Sequence, residues 1–480
     1  MKKKIAVILL AVLAVLGTAV YGGIQYFRNH YVVIEDAVYS NQETELDLSG
    51  VKNPDYEQIM KLTQLEKLNL LNTEASIEEY ERLRAALPEC RILWQLPFQG
   101  RFLELDTKEI TVNSLTDEEI DDLHYLTQLQ AVDATGCADL ERIMKLRQRY
   151  PRVQVKYRVP VGDRMLSCTT VNLMVANPDP GEVGEALQYL PDLQKVTFTG
   201  KIADRDGILG LEEAYPEITF LWNVEVAGKK FLNTSREIDL SGVQVEDLEE
   251  VAASYPYFDN LEKVILCDCG KTSEELDAFW KKYPQVRVVW SVPIRFFTVR
   301  TDITTLMPYQ YGCAKLSNKD VDSLKYLVDL VCVDFGHMDL TDLSFLEYTP
   351  NIEYLIIADS GVRDITPVGH LKKLKYLEMF VNRVQDISPL ANCTELRDLN
   401  MCYNGVTDIT PLLELKHLEH LWMKGVNVSG QSLQLLEETF PELTIVISTY
   451  NPSSTGNGWR KIPGYYEQRD LLGMWYTNEN

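Results

Sequence analysis

The sequence predicts an α/β solenoid preceded by one N-terminal transmembrane helix, and three observations carry that reading. The stretch from Ile5 to Phe27 holds 23 residues without a charge. From Leu330 onward, apolar residues return every 22 residues in constant phase. Before that point a unit of about 64 residues recurs, each copy pairing a helical pattern with an alternating strand pattern. The 480 residues are 45% hydrophobic and 25% charged, proportions that exclude wholesale disorder.

The N-terminal element follows from length and charge. Lys2, Lys3 and Lys4 precede the uncharged run, which at about 1.5 Å per residue spans the roughly 30 Å hydrocarbon core. Residues 1–4 are expected in the cytoplasm and 5–27 as the anchor, with everything from about residue 28 outside, because basic flanks stay inside. The expected location is the cell membrane, single-pass, with the C-terminal region extracytoplasmic. Gly17 and Ala19 also allow a small-residue cleavage site, and cleavage would make the protein secreted.

Residues 28–44 read as a linker and N-terminal cap, and 45–315 as the long units. In each unit a proline (Pro88, Pro151, Pro216, Pro284) follows the helix pattern and precedes a strand: CRILWQLPF, VQVKYRVPV, ITFLWNVEV and VRVVWSVPI. These align Trp94, Tyr157, Trp222 and Trp290. Ser76 with Glu79 and Thr272 with Glu275 have capping-box spacing. Earlier in each unit stands a leucine strand, LEKLNL, LQAVDA, LQKVTF or LEKVIL. Whether the Trp/Tyr strands join the same sheet is open at this level. The segment 115–134 aligns without gaps onto 316–335, so the long and short repeats share one register.

Residues 316–448 hold the short repeats. Leu330, Ile352, Leu374, Leu396 and Leu418 each open a turn, the best copies being LKYLEMFVNRVQDISPL and LRDLNMCYNGVTDITPL. This pattern resembles the bacterial internalin-type leucine-rich repeat. The resemblance implies one short parallel strand per turn on a curved, concave sheet, a return segment on the convex side, and Asn382 and Asn404 at a buried ladder position. Ser360 substitutes there, while Met338 and Val426 depart from the pattern. Residues 449–480, with Trp459, Tyr465, Tyr466 and Trp475, break the period and read as a C-terminal cap over the open end of the last turn, a separate binding tail being the alternative.

The balance of 47 Lys+Arg against 71 Asp+Glu, a net charge of −24, disfavours nucleic acid. A protein or peptide is the expected partner. His417, Glu419 and His420 invite a metal, but the register makes both histidines surface positions without a third ligand. Asp204, Asp206, Gly207 and Glu213 resemble part of a calcium loop whose first ligand would be Ile202, so an acidic turn is expected. Among the nine cysteines, Cys137 and Cys269 occupy ladder positions, and Cys90 and Cys393 occupy core positions. Cys332 and Cys402 lie three turns apart, about 14 Å, too far to bridge. No cofactor is expected.

No phosphate loop, nucleophile elbow or zinc helix is present, so the chain reads as a binding protein and not an enzyme. The alternatives are a surface enzyme of unfamiliar type acting on wall polymer or peptide, and a structural spacer. Arg101, Arg164, Lys229, Lys230 and Arg295 sit in the hairpin turns, a basic row suited to an anionic surface polymer. Residues between the leucines should face the concave side. They are Tyr354 and Ile356; Tyr376, Glu378 and Phe380; Asp398 and Asn400; and His420, Trp422 and Lys424. Such mixed aromatic and charged side chains suit a partner-binding surface, although β-propensity alone also favours aromatics on strands.

Overall fold

The computed structural model describes residues 20–448 and 458–474. The chain divides into two compact units, 1–220 and 221–480. No helix among the described residues is long and apolar enough to cross a membrane. Residues 20–30 are helical, and 5–19, most of the expected anchor, lie outside the described residues.

In the first unit an antiparallel hairpin, Tyr31–Ile34 with Ala37–Ser40, precedes the repeats. Two complete long units follow the same plan. Glu45–Asp47, Lys67–Asn69 and Arg91–Leu93 pair in parallel, and so do Glu109–Thr111, Ala131–Asp133 and Gln154–Lys156. Each set is followed by an antiparallel hairpin, Gln95–Phe98 with Arg101–Glu104 and Arg158–Val161 with Arg164–Ser167. Each Trp/Tyr segment is therefore divided. Its first half completes the parallel set, and its second half leaves it for a hairpin.

The aligned aromatics sit at that switch. Trp94 is 2% exposed, stacks on Tyr80 with ring centroids 4.1 Å apart, and donates its indole N–H to the Ala75 carbonyl at 3.0 Å. Tyr157 is 1% exposed and donates to the Tyr189 carbonyl at 2.9 Å. A large ring with one polar tip fills the corner where the chain changes partners while satisfying a loop carbonyl. The Ser76–Glu79 box caps the helix Ile77–Ala86, with both reciprocal bonds formed.

The second unit repeats the plan once more, with Glu237–Asp239, Lys263–Ile265 and Arg287–Val289 in parallel and hairpins built on Asn223–Val226 and Ser291–Ile294. Trp222 and Trp290, each 1% exposed, hold the same corner. The Thr272–Glu275 box caps Ser273–Lys282.

The short repeats then lay down a seven-stranded parallel sheet in sequence order: Thr305–Leu306, Cys332–Asp334, Tyr354–Ile356, Tyr376–Glu378, Asp398–Asn400, His420–Trp422 and Thr444–Val446. From the second strand to the sixth the register advances by 22 residues, Cys332 opposite Tyr354, then Tyr376, Asp398 and His420. Val333, Leu355, Leu377, Leu399 and Leu421 point into the solenoid and are each 0% exposed.

Short 3-10 turns, Ser344–Tyr348, Thr366–His370, Ser388–Asn392 and Thr410–Glu414, form the return side. The repeated aspartates start the last three of them: Asp364, Asp386 and Asp408 accept from the amides of Thr366, Ser388 and Thr410 at 2.8, 2.8 and 2.9 Å.

The asparagine ladder links adjacent turns. Asn382 donates to the carbonyls of Ile357 and Met379 at 2.8 and 3.0 Å, and accepts from the amides of Ser360 and Val362 at 3.2 and 2.9 Å. Asn404 repeats the bridge one turn on, donating to Met379 and Met401 and accepting from Val384. Where Met338 replaces the amide, its thioether accepts the Leu316 amide at 3.2 Å.

Candidate functional site

The alternate residues of the seven-stranded sheet form two rows on the side away from the inward leucines, the side expected to be concave. One runs Cys332, Tyr354, Tyr376, Asp398, His420, and the other Asp334, Ile356, Glu378, Asn400, Trp422. This is the face that the leucine spacing assigns, and the structure adds what covers it. The segment 458–474 of the same chain lies across the face, with a 3-10 turn at Trp459–Lys461 and a helix at Pro463–Leu471. The aromatic segment expected to close the last turn thus runs over the sheet instead. Its Trp475 lies outside the described residues.

Trp459, 0% exposed, is the apolar anchor. Its ring centroid is 5.2 Å from those of Tyr376 and Trp422, and Phe380, Ile356, Ala358, Cys402, Ile462 and Leu472 complete the cluster. The helix begins at Pro463, whose missing N–H costs nothing at a first helical position. Gly464 then brings the backbone against the sheet. A Cβ there would stand 2.1 Å from Asp398 Oδ2 and 3.0 Å from both Tyr376 Cδ2 and Arg397 Nη2. Farther along, the Cys332 thiol donates to the Gln468 carbonyl at 3.8 Å, and the Gln310 amide donates to the Leu472 carbonyl at 2.7 Å. The segment therefore spans the sheet from its sixth strand back to the loop after its first.

Polar contacts are woven through this packing. Arg397 donates to Asp398 Oδ2 at 3.1 Å and to Glu467 Oε2 at 2.7 Å, and the same Glu467 oxygen accepts the Tyr354 hydroxyl at 2.7 Å. The bond from Arg397 holds the Glu467 carboxyl below the ordinary carboxylate range. Asp398, 0% exposed, also pairs with His420 Nδ1 at 2.6 Å. Glu378 accepts the Tyr376 hydroxyl at 3.1 Å and the Trp459 indole N–H. Burial pushes its carboxyl up to about 7 despite those donors, and the neighbouring Asp334 charge pushes the same way. Burial also raises Asp334 itself.

Of the residues assigned to binding from sequence, Tyr354, Tyr376, Glu378, Phe380, Asp398, Asn400 and Trp422 are buried beneath this segment, and His420 is half-buried at its margin. Lys424 stands apart, half-buried, with its ammonium 5.8 Å from the Tyr403 ring centroid. Sequence reasoning missed Arg397, which precedes its strand, and the Gly464 and Glu467 positions on the covering helix. Proline followed by glycine at the start of the aromatic tail was the available signal.

The remaining candidates resolve into local structure. His417 is exposed, away from the Asp398–His420 pair, and no cluster of three or more metal-ligating side chains occurs among the described residues. Asp204 caps the helix Arg205–Ala214 by accepting the Gly207 amide at 2.9 Å. All nine cysteines are free thiols. In the first unit Arg101 donates to the Thr111 carbonyl at 2.7 Å and Arg164 to that of Met174. In the second unit Lys229 donates to the Asp239 carbonyl at 3.0 Å and Arg295 to that of Lys315, while Lys230 is exposed. Most of the basic row is engaged in the backbone hydrogen bonding of the loops and strands that follow each hairpin.

No protein-family model and no curated protein matches the chain. Among solved structures it is similar to internalin C2 from Listeria monocytogenes, at 24% identity over 32% of this chain and 76% of that one, with a TM-score of 0.27. It is also similar to an internalin (inlF) from the same organism, at 15% identity over 88% and 87% of the two chains and a TM-score of 0.25. A leucine-rich repeat protein from Leptospira interrogans aligns at 15% identity over 84% of this chain and 96% of that one, with a TM-score of 0.29. The chain's own parallel strands, register and asparagine ladder give it the architecture of a leucine-rich repeat solenoid.

Proposed function

We propose that the chain is a membrane-anchored, extracytoplasmic binding protein whose concave sheet, over the 22-residue turns, receives a protein or peptide partner. The observation that carries the reading is the composition of that face. The strand-centre positions turned into the solenoid, Leu355, Leu377, Leu399 and Leu421, are all leucine, whereas those turned outward mix Tyr354, Tyr376 and Trp422 with Glu378, Asp398 and His420. Rings beside charges are the pattern of a recognition surface, in which a few aromatic anchors supply most of the affinity. The anchoring half rests on the uncharged run Ile5–Phe27 behind Lys2–Lys4.

Crosslinking on intact cells, followed by identification of the captured protein, tests the binding half. Tyr376→Ala, Phe380→Ala and Trp422→Ala should each weaken capture by about 1–3 kcal/mol. A folded triple variant that captures the partner as well as the parent overturns it. Protease added to cells stripped of their wall should digest the repeats while sparing an internal marker. Equal protection of both overturns the orientation.

A further inference from the structure

The face that has the composition of a binding surface is occupied by the chain's own segment, and three features of that contact bear on what it is for. The first is the cost of covering such a face. Glu378, Asp398 and Asn400 are buried beneath the segment, and a sheet meant to stay covered is more cheaply built from apolar residues. The second is incomplete satisfaction. Among the described residues, the Trp422 indole N–H, both polar atoms of the Gln468 amide and Arg469 Nε are buried and find no hydrogen-bond partner, and such orphans are few in a native core. The third is specificity. The segment is read by an aromatic bowl around Trp459, a close approach at Gly464 that a side chain would block, and a guanidinium and hydroxyl, from Arg397 and Tyr354, that take the Glu467 carboxylate.

We propose that 458–474 is a displaceable internal ligand, and that the partner of the concave face is a protein segment presenting the same chemistry. That segment carries an indole, a glycine five positions on, and a carboxylate three beyond the glycine, on a short helix. The inference rests on the concave face being the binding surface. It adds that the free chain holds this face closed and that the partner enters by exchange. A tethered segment competes at a high effective concentration, so the partner sees a reduced apparent affinity until the segment is released.

The probe is a labelled peptide with the sequence of residues 458–474, added to the full chain. The parent should bind it weakly. The in-chain double variant Trp459→Ala, Gly464→Leu, which loosens the resident segment and leaves the sheet untouched, should bind it at least tenfold more tightly. A peptide carrying Glu467→Lys should lose at least tenfold on that variant and recover when Arg397→Glu is added to the chain. No gain in the double variant, or no recovery on charge exchange, overturns the proposal, as does loss of the folded repeats in the double variant.

Amide exchange on the parent gives an independent reading that needs no variant. The helix amides of 465–471 should exchange at least a hundredfold faster than those of Leu377 and Leu399. Equal protection shows an integral part of the core and overturns the proposal. Capture of a cellular partner through the concave face by a chain whose helix never opens would refute displacement while leaving the binding function standing.

Discussion

Replacing Gly464 by alanine should loosen the covering segment, although the same change in an ordinary helix stabilises it by up to about 1 kcal/mol. The new Cβ would meet Asp398 Oδ2 at 2.1 Å and two further side-chain atoms at 3.0 Å. A carboxylate is normally able to swing aside. This one is 0% exposed and held from two directions, by Arg397 at 3.1 Å and His420 at 2.6 Å. Accommodating the methyl group by local strain costs about 1–3 kcal/mol, and parting a buried charge from its partners costs about 3–5 kcal/mol. The cheaper route, less the helix gain, leaves the docked state weaker by up to about 2 kcal/mol, or about fivefold in the open population at the middle of that range. Amide exchange across 465–471 measures that population directly. Unchanged or greater protection in Gly464→Ala would refute the close approach and the pinned carboxylate together.

Burial raises the Glu378 carboxyl from an ordinary value of 4.5 to about 7, so the closed face holds a proton that the opened face releases. Closure should be strongest below about pH 4.5 for this group and weaken as pH rises through 7, by about 3 kcal/mol in all. Glu378→Gln should flatten the dependence of helix protection between pH 5 and 8, and an unchanged slope would assign it to another group. Asn382→Ala strips three or more buried backbone groups of their partner at about 1–3 kcal/mol each, so the urea midpoint of the repeats should fall by an amount equivalent to at least about 3 kcal/mol. A loss no larger than that of a surface substitution would deny the ladder its role. Burial pushes the Cys402 thiol up to about 11 and raises Cys332 further, so both should resist alkylation in the parent and react faster in Trp459→Ala. Equal rates would show that the segment does not gate them.

What the sequence disclosed and what it withheld differ in range. The leucine phase predicts which residues share the concave side, and the structure places Tyr354, Tyr376, Asp398 and His420 in one row as that spacing requires. Asn382, Ser76 and Thr272 are equally legible because their partners lie within one or two turns. The division of each Trp/Tyr segment at its aromatic was not legible, since alternation continues unbroken across Trp94 and Trp290 while the pairing partner changes. Nor was the covered face. Arg397 meets Glu467 across 70 residues, and Trp459 meets Glu378 across 81. Neither contact has a period or a local signature, and an aromatic tail after the last repeat is equally compatible with sealing an end.

The crossing of the sheet by 458–474 also sets an order of events. Neighbouring strands in the short repeats join residues 22 apart, whereas the segment joins Tyr354 to Glu467 across 113 residues and Gln310 to Leu472 across 162. Closing the longest of these loops costs about 2 kcal/mol more in chain entropy than closing a single turn, and no partner surface exists until every intervening turn is laid. The segment therefore docks last during folding and leaves first during unfolding. A chain whose repeats have formed and whose segment has not yet docked presents the aromatic face bare, open to whatever stands nearby.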